Sequence, residues 1–342
     1  MSKKILTIIV PMYNMEKYIA PCLDSLIISG MEQLEVIVVN DCSKDNSLAI
    51  ARTYESHYPQ TFRVIDKENG NYGSCINCGL SKATGQYIRV LDADDFLESK
   101  NLDDFLEFLA MVDVDMVFSD YCHVDSQGNK IKHISFRRLS PNVIYGTKDL
   151  SCHRFYVFIH SVTYRTDVLR QIDYQQTEGI SYTDQEWVFY PMANVKCWRY
   201  WPRVNYNYRL GRDGQSVSRE AKIRLISHEI EGMLVNVRQY EKAKGQLNAD
   251  AIAYMQLRLL ERAKVIYKSF LLFYYSDLLP SYNLLKDMDV NIFTTSPEVY
   301  ELTNKLRYHI GPFPYYYVKK WRLSGCNAEL WGLRFRRHRD AR

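Results

Sequence analysis

One short stretch, residues 85–95, constrains the fold more than any other part of the chain. It reads Gly-Gln-Tyr-Ile-Arg-Val-Leu-Asp-Ala-Asp-Asp, a mostly apolar run of strand length that ends in three carboxylates. A largely buried strand with acids at its carboxyl end is typical of an open α/β sheet, in which ligands bind beyond the carboxyl ends of the strands. The stretch therefore predicts a fold class and the position of a site together.

The three carboxylates, Asp92, Asp94 and Asp95, repel one another and therefore favour a bound cation. Asp92 and Asp94 offer two hard oxygen ligands on a tight turn, which suits a divalent cation, Mn²⁺ or Mg²⁺. Such an ion holds phosphate groups in turn. An isolated Asp-x-Asp more often lies in a polar surface loop, but its place after a buried strand favours the metal site.

Strand-like and helix-like segments alternate through the first part of the chain. Apolar runs of strand length occupy 5–10, 34–39, 62–65, 87–91 and 116–121, with apolar residues at helical spacing between them. This order predicts right-handed βαβ crossovers and a mostly parallel, Rossmann-like central sheet flanked by helices. The glycine pattern of dinucleotide-binding proteins and the Walker lysine motif are both missing, which argues against a dinucleotide fold or a P-loop.

The second strand also ends in polar residues, Asn40 and Asp41. Because the carboxyl ends of parallel strands meet at one edge of a sheet, Asp41 and the Asp92 group are expected to face one crevice. A carboxylate beside a nucleotide accepts hydrogen bonds from a base N–H or from ribose hydroxyls.

Three segments in this order, residues 8–16, 38–47 and 85–95, resemble family-2 glycosyltransferases of the GT-A fold. The resemblance covers most of residues 1–218 and implies a nucleoside-diphosphate sugar donor, with a UDP-sugar favoured. It also implies a divalent cation at the Asp-x-Asp and inversion at the anomeric carbon. By position, Asp41 matches the acid that contacts the nucleotide base and Asp94 the principal metal ligand, with Asp92 beside it.

The resemblance implies a larger donor-binding set, drawn from the ends of the first strands, the fourth strand and a later loop. These residues are Pro11, Tyr13, Asn14, Glu16, Asp41, Asn71, Gly73, Asn77, Asp92, Arg209, Arg212, Gln215 and Ser216. Two positions depart from the family pattern. Asn40 stands where a first Asp is common, and the segment 74–77 lacks an arginine that many members carry.

A later acidic segment, residues 180–187, resembles the family motif that presents the catalytic base. Inverting transfer needs one carboxylate to take the proton of the acceptor hydroxyl. Asp184 is the first choice for this base and Glu186 the second. Both residues also suit the first turn of a helix, where the helix dipole favours acids.

The segment 206–218 follows, with glycines and two arginines, and a similar segment in the family closes over the donor pyrophosphate. The forked guanidinium groups of Arg209 and Arg212 suit phosphate oxygens, and Gln215 and Ser216 add hydrogen-bonding groups. A solvated loop has the same composition.

Composition limits the other function classes. A net charge of +4 over 342 residues does not by itself indicate nucleic acid, and we expect none as a partner. The sequence has no apolar run long enough for a membrane span, and Pro11 breaks the N-terminal run too early for a signal peptide. We therefore expect a cytoplasmic protein with reduced, buried cysteines.

Three histidines, His123, His153 and His160, have no metal-ligand spacing and are expected to be packed or exposed.

Residues 219–342 change character to amphipathic helices, which predicts a helical C-terminal region after a catalytic domain at 1–218. Aromatic residues and cations alternate from Pro312 onward. This composition suits peripheral contact with the inner face of a membrane, although a solvated basic tail has the same pattern.

These observations predict a metal-dependent inverting glycosyltransferase of the hexosyltransferase type, acting on a glycan or lipid-linked acceptor in cell-envelope polysaccharide synthesis. The alternative from another class is a non-catalytic nucleotide-sugar-binding subunit of a polysaccharide assembly complex, which needs no base. A nucleotidyltransferase that makes the sugar nucleotide is disfavoured, because its glycine- and lysine-rich N-terminal loop is missing. A protein that binds membranes or nucleic acid through its tail is the weakest reading.

Overall fold

A computed structural model of the chain describes residues 3–152, 157–212, 215, 218–273 and 278–310. The chain forms two compact units. The first contains the residues up to Ser218 together with Ala243–Met255, and the second contains Arg219–Lys242 and the residues from Gln256 onward. Predictions for His153, for Ser216 and for the tail from Pro312 lie outside the described residues.

The first unit is built on a sheet, to which ten strands contribute within the described ranges. In chain order they are β1 (Leu6–Met12), β2 (Leu34–Asn40), β3 (Phe62–Asp66), β4 (Tyr87–Val90), β5 (Phe96–Leu97), β6 (Met116–Val124), β7 (Lys130–Ile134), β8 (Tyr145–Gly146), β9 (Val162–Arg165) and β10 (Cys197–Arg209).

Helices connect these strands. They are α1 (Ile19–Asp24), α2 (Ser47–His57), α3 (Asn71–Lys82), α4 (Ser99–Met111), α5 (Thr147–Cys152), α6 (Thr166–Gln171), α7 (Asp184–Trp187) and α8 (Tyr190–Ala193).

The predicted helical region after residue 218 is present in the described residues. Its helices are α9 (Arg219–Arg224), α10 (Ile226–Ala243), α11 (Ala249–Phe273), α12 (Leu278–Thr295) and α13 (Pro297–Ile310). None of the helices in the described ranges combines the length and the apolar composition needed to cross a bilayer.

The first four long strands follow the predicted pattern. They lie in the order β3-β2-β1-β4 and pair in parallel, with a helix in each of the first three connections. All seven residues of β1 are buried, as expected for a strand covered on both faces. The carboxyl ends of these strands therefore meet at one edge of the sheet.

The far half of the sheet is mixed, which the pattern of apolar runs did not indicate. The short strand β9 inserts between β4 and β6 and runs antiparallel to both, while β10 pairs in parallel with β6. The hairpin strand β7 pairs antiparallel with β6. A four-residue strand such as β9 carries too little periodicity to reveal its partners, because the pairing depends on residues distant in sequence.

The seven described cysteines are free, in accord with reduced thiols. The expectation that they are buried was wrong for four of them, because Cys152 is exposed and Cys42, Cys78 and Cys197 are partly exposed. Cys42 lies in a loop after β2, Cys152 ends α5 and Cys197 begins β10.

Gly85 allows β4 to start close against β1. A Cβ atom there would lie 2.5 Å from the Thr7 nitrogen, which is a backbone atom and does not move aside. We expect Gly85→Ala to lower the free energy of unfolding by about 2 kcal/mol, because overpacking a rigid contact costs that much. Urea unfolding measures it.

Gly146→Ala is the matched control, because its nearest contact would be an ordinary 3.7 Å to the Lys196 oxygen. Its free energy of unfolding should change by less than about 1 kcal/mol. Equal losses in the two variants would contradict the close approach of β4 to β1.

Candidate active site at the carboxyl edge of the sheet

A cavity of about 610 Å³ lies beyond the carboxyl ends of β1, β2 and β4. The structure brings together there eight of the residues that the sequence proposed for donor or metal binding. They are Pro11, Tyr13, Asp41, Asn71, Asp92, Asp94, Arg212 and Gln215. Residues that the sequence analysis missed also line it, namely Cys42, Lys44, Asn69, Tyr72 and Tyr208 among others. The predicted crevice between Asp41 and the Asp92 group is therefore present.

Asp41 organises one wall of the cavity. Its carboxylate is buried and accepts the backbone N–H groups of Gly70 and Asn71, each at 2.9 Å, and the Lys67 ammonium at 2.8 Å. Asn71 has a φ of +65°, a left-handed conformation that asparagine adopts more readily than most residues. Asp41 thus fixes the start of α3 beside the cavity.

Two predicted donor-binding residues, Asn14 and Glu16, hold together the loops after β1 and β2. The carboxylate of Glu16 accepts the Asn46 backbone N–H at 3.1 Å, and the side-chain oxygen of Asn14 accepts the Lys44 backbone N–H at 2.8 Å. Both bonds join the loop after β1 to the loop after β2. Neither Asn14 nor Glu16 lines the cavity.

Gly73 and Asn77 on α3 also lie behind the cavity surface. A Cβ atom on Gly73 would come within 2.0 Å of the Thr177 carbonyl oxygen. Asn77 donates to the Gln176 carbonyl at 2.9 Å and accepts the Gln176 N–H at 2.8 Å. These contacts hold the segment before Asp184 against α3.

Asp92 and Asp95 form an acidic cluster in which Asp95 is buried and Asp92 is partly exposed to the cavity. Asp92 accepts the Tyr72 hydroxyl at 2.7 Å, and Asp95 accepts the Tyr206 hydroxyl at 2.6 Å and the Arg209 N–H at 2.7 Å. Burial, followed by the charge of Asp94, raises the pKa of Asp92 to about 7. The same two causes raise the pKa of Asp95 well above its usual value.

His160 completes this cluster, although nothing in the sequence indicates that it lies beside the acids. A ring nitrogen of His160 and carboxylate oxygens of Asp92 and Asp95 all lie within 4.8 Å of one another. The imidazole is buried, which is one of the two environments expected from the sequence. Burial, together with the charges of His123 and Arg89, lowers its pKa to about 3. It reaches the acids only because the short turn before β9 crosses to β4, which no spacing in the sequence reveals.

The cluster fits a divalent cation. Its carboxylate oxygens suit Mn²⁺ or Mg²⁺, whereas its imidazole suits transition-metal ions. Burial, and after it the neighbouring charge of Asp94, raises the pKa of Asp92, as expected where acids are held close together. The predicted principal ligand, Asp94, is ion-paired through its carboxylate with Arg212.

The two arginines of the later segment have different places. Arg212 lines the cavity, whereas Arg209 is buried and donates to the backbone oxygens of Asp94 and Ser126, each at 2.8 Å. Gln215 donates to the Arg209 carbonyl at 2.6 Å. Arg209 therefore holds the backbone of the acidic turn in place. Of the two arginines, only Arg212 faces the cavity.

Asp184 begins α7 and is partly exposed. Its charge is among the causes that raise the pKa of Asp92, Tyr72 and Tyr208, so it lies within electrostatic reach of the acidic cluster. Glu186, the second choice for the base, is buried and accepts the backbone N–H and the hydroxyl of Thr177 at 2.9 and 3.0 Å. This geometry favours Asp184.

Comparison with known proteins shows which protein family this part of the chain resembles. The family model described as "Glycosyl transferase family 2" matches residues 7–173, which include Asp41 and the whole acidic cluster. Residues 7–173, just under half of the chain, therefore match glycosyltransferase family 2. The resemblance of the three sequence segments is thereby confirmed.

Curated relatives share the same part of the chain. "Uncharacterized glycosyltransferase YibD" of Escherichia coli is 30% identical over 221 residues, 63% of each protein. "Poly(ribitol-phosphate) beta-N-acetylglucosaminyltransferase TarS" of Staphylococcus aureus is 27% identical over 215 residues, 62% of this chain and 36% of TarS. "Minor teichoic acid biosynthesis protein GgaB" of Bacillus subtilis is 27% identical over 63% of this chain and 24% of GgaB. The matches thus span less than two thirds of these relatives.

The fold has a solved counterpart. The crystal structure of S. aureus TarS 1–349, determined with UDP-GlcNAc, superposes with a TM-score of 0.70 at 21% identity, covering 94% of this chain and 92% of that one. This likeness confirms the GT-A architecture, with its mixed α/β sheet and flanking helices.

The Tyr206 hydroxyl ties β10 to the acidic turn, because it donates to Asp95 and accepts the Asp92 N–H at 3.2 Å. Tyr206→Phe leaves a buried carboxylate oxygen and a backbone N–H without this partner. We expect it to lower the free energy of unfolding by about 1–3 kcal/mol, measured by urea unfolding.

Tyr13→Phe is the control, because that side chain is 47% exposed. The free energy of unfolding should change by no more than about 0.5 kcal/mol there. If Tyr206→Phe were equally neutral, the hydroxyl would not be the link between β10 and the acids.

Proposed function

We propose that the protein is an inverting glycosyltransferase that transfers a sugar from a UDP-sugar to a hydroxyl of a glycan or lipid-linked acceptor. The observation that carries the proposal is the acidic cluster beside a 610 Å³ cavity, with Asp184 in electrostatic reach of it. The crystallised TarS segment binds UDP-GlcNAc and UDP, and GgaB is named for teichoic acid synthesis, which supports a UDP-sugar donor and an envelope acceptor.

Each wall of the cavity has a part in this proposal. Asp41 and the loop it fixes would hold the nucleoside, and Arg212 would hold the diphosphate. Asp94 and Asp92, with His160 and Asp95 behind them, would hold Mn²⁺ or Mg²⁺. When bound, this ion supplies a Lewis acid that stabilises negative charge on the leaving diphosphate.

The chemistry assigned to the chain's own residues is a single displacement. Asp184 accepts the proton of the acceptor hydroxyl as its oxygen forms a bond to the anomeric carbon. The bond from that carbon to the diphosphate oxygen breaks on the opposite face, and the nucleoside diphosphate leaves with the electron pair. One attack at this carbon inverts its configuration.

The first test measures the melting temperature with UDP, in Mn²⁺ and again in EDTA. At a hundred times its Kd, UDP should stabilise the fold by about 2.7 kcal/mol. We expect the shift in Mn²⁺ and its loss in EDTA, and we expect Asp94→Asn to lose it in both. Asp167→Asn, at an exposed side chain of α6, is the control and should keep it.

A shift that survives in Asp94→Asn with Mn²⁺ present would refute the ligand role of Asp94. If neither UDP nor any other nucleoside diphosphate stabilised the wild-type protein, the donor site itself would be wrongly assigned.

The second test concerns the base. Asp184→Asn should lower the rate of UDP release from the UDP-sugar by about 10²–10⁴-fold, because proton transfer is lost, while the UDP melting shift stays. The non-catalytic binding subunit would show the same shift in both proteins and no release in either.

Glu186→Gln is the matched variant on the same helix. The amide oxygen of glutamine can still accept the N–H and the hydroxyl of Thr177, both of which go to one oxygen of Glu186, so we expect little change in melting temperature and a rate close to wild type. The reverse result, a large loss of rate in Glu186→Gln alone, would transfer the base role to Glu186.

A further inference from the structure

A row of three side chains leads away from the cavity across neighbouring strands. Tyr208 on β10 lies opposite His123 on β6, and His123 lies opposite Lys132 on β7. Residues opposite each other in a sheet point to the same face. Since adjacent strands are about 4.8 Å apart, the backbone of Lys132 lies about 10 Å from that of Tyr208.

The first two members of the row form an aromatic surface that continues from the cavity wall. The rings of Tyr208 and His123 are 5.7 Å apart in an edge arrangement, and the ring of Tyr208 stacks on His160 at 4.2 Å. Tyr208 and His123 are both partly exposed, and Tyr208 lines the cavity. Rings of this kind offer an apolar face and a polar edge, which suits the ring of a sugar.

The last member of the row is an exposed cation. Its charge lowers the pKa of His123, after the larger effect of burial, which places the ammonium group near the aromatic surface. On the same strand, Lys130 is neutralised by Glu98 at 2.7 Å. Within the part of the chain that the structure describes, no ion pair involves Lys132.

The segment around this strand is also basic. Residues 125–140 contain four Lys and Arg and one acidic residue, Asp125, whose carboxylate accepts bonds from its own turn at Gln127 and Asn129. The local field of the hairpin therefore attracts anions.

We propose that the row Tyr208–His123–Lys132 binds an anionic acceptor, with the rings against the accepting sugar or polyol unit and Lys132 on a negative group of the neighbouring unit. The proposal rests on the proposed function, because an acceptor subsite has meaning only beside a donor site. Lys132 lies outside the cavity lining, so its charge selects the acceptor without contacting the donor phosphates.

Three probes of similar length test this: a neutral gluco-oligosaccharide, an oligosaccharide containing uronic acid, and a glycerol phosphate oligomer. Binding to the full-length protein is measured by calorimetry with UDP and Mn²⁺ present. We expect at least one anionic probe to bind more tightly than the neutral one, and Lys132→Ala to weaken that probe about fivefold, the size of a favourable exposed ion pair.

Lys82→Ala, an exposed lysine at the end of α3, is the matched control and should change nothing. The two anionic probes distinguish a carboxylate from a phosphate as the recognised group. Inorganic phosphate alone, at the same concentration, should not displace the preferred oligomer, because it lacks the unit that contacts the rings.

Equal binding of all three probes would overturn the proposal, as would a preference for anions that Lys132→Ala leaves unchanged. Displacement by inorganic phosphate would also overturn it, since it would reduce the site to a simple anion site. UDP binding measured on the same samples separates the two proposals. Loss of probe selectivity with UDP binding intact rejects only this one, and absence of UDP binding rejects the proposed function.

Discussion

The carboxylates at the end of β4 are the constraint on which the rest of the site depends. Holding Asp92 and Asp95 close together is costly, because burial and the charge of Asp94 raise the pKa of both carboxyls. The surrounding structure supplies donors to offset it. The Tyr206 hydroxyl and the Arg209 N–H come from β10, and the Tyr72 hydroxyl comes from α3. The acids therefore tie together parts of the chain that are far apart in sequence.

A second set of contacts connects the cavity wall around Asp41 to the proposed base, Asp184. Asp41 fixes the start of α3, and the same helix holds the segment before α7 through Asn77 and the close approach at Gly73. A movement of α3 would displace both the cavity wall and Asp184. Several residues that resemble donor contacts in sequence thus act by positioning other groups, and their side chains do not reach the cavity.

Much of the architecture was predictable, because parallel strands buried on both faces leave long apolar runs and their polar ends mark one edge. The crevice containing Asp41 and Asp92 followed from that rule alone. The mixed half of the sheet was not predictable in the same way. Pairing of β9 between β4 and β6 depends on register between distant segments, and that pairing brings His160 to the acids. The parallel pairing of β10 with β6 places Tyr208 beside His123.

The amino-acid sequence alone indicated the α/β class, the likeness to family 2, the acidic turn after β4 and Asp184 as the candidate base. Each of these depends on short segments and on their order along the chain, which can be read without knowing the contacts between them. The three-dimensional arrangement was needed to show which of the two arginines faces the cavity, because Arg209 and Arg212 have the same chemistry and differ only in what surrounds them. It also decided that Glu186 is bound to Thr177, and that Lys132 continues the row from Tyr208, because both depend on contacts between segments that chain order does not specify.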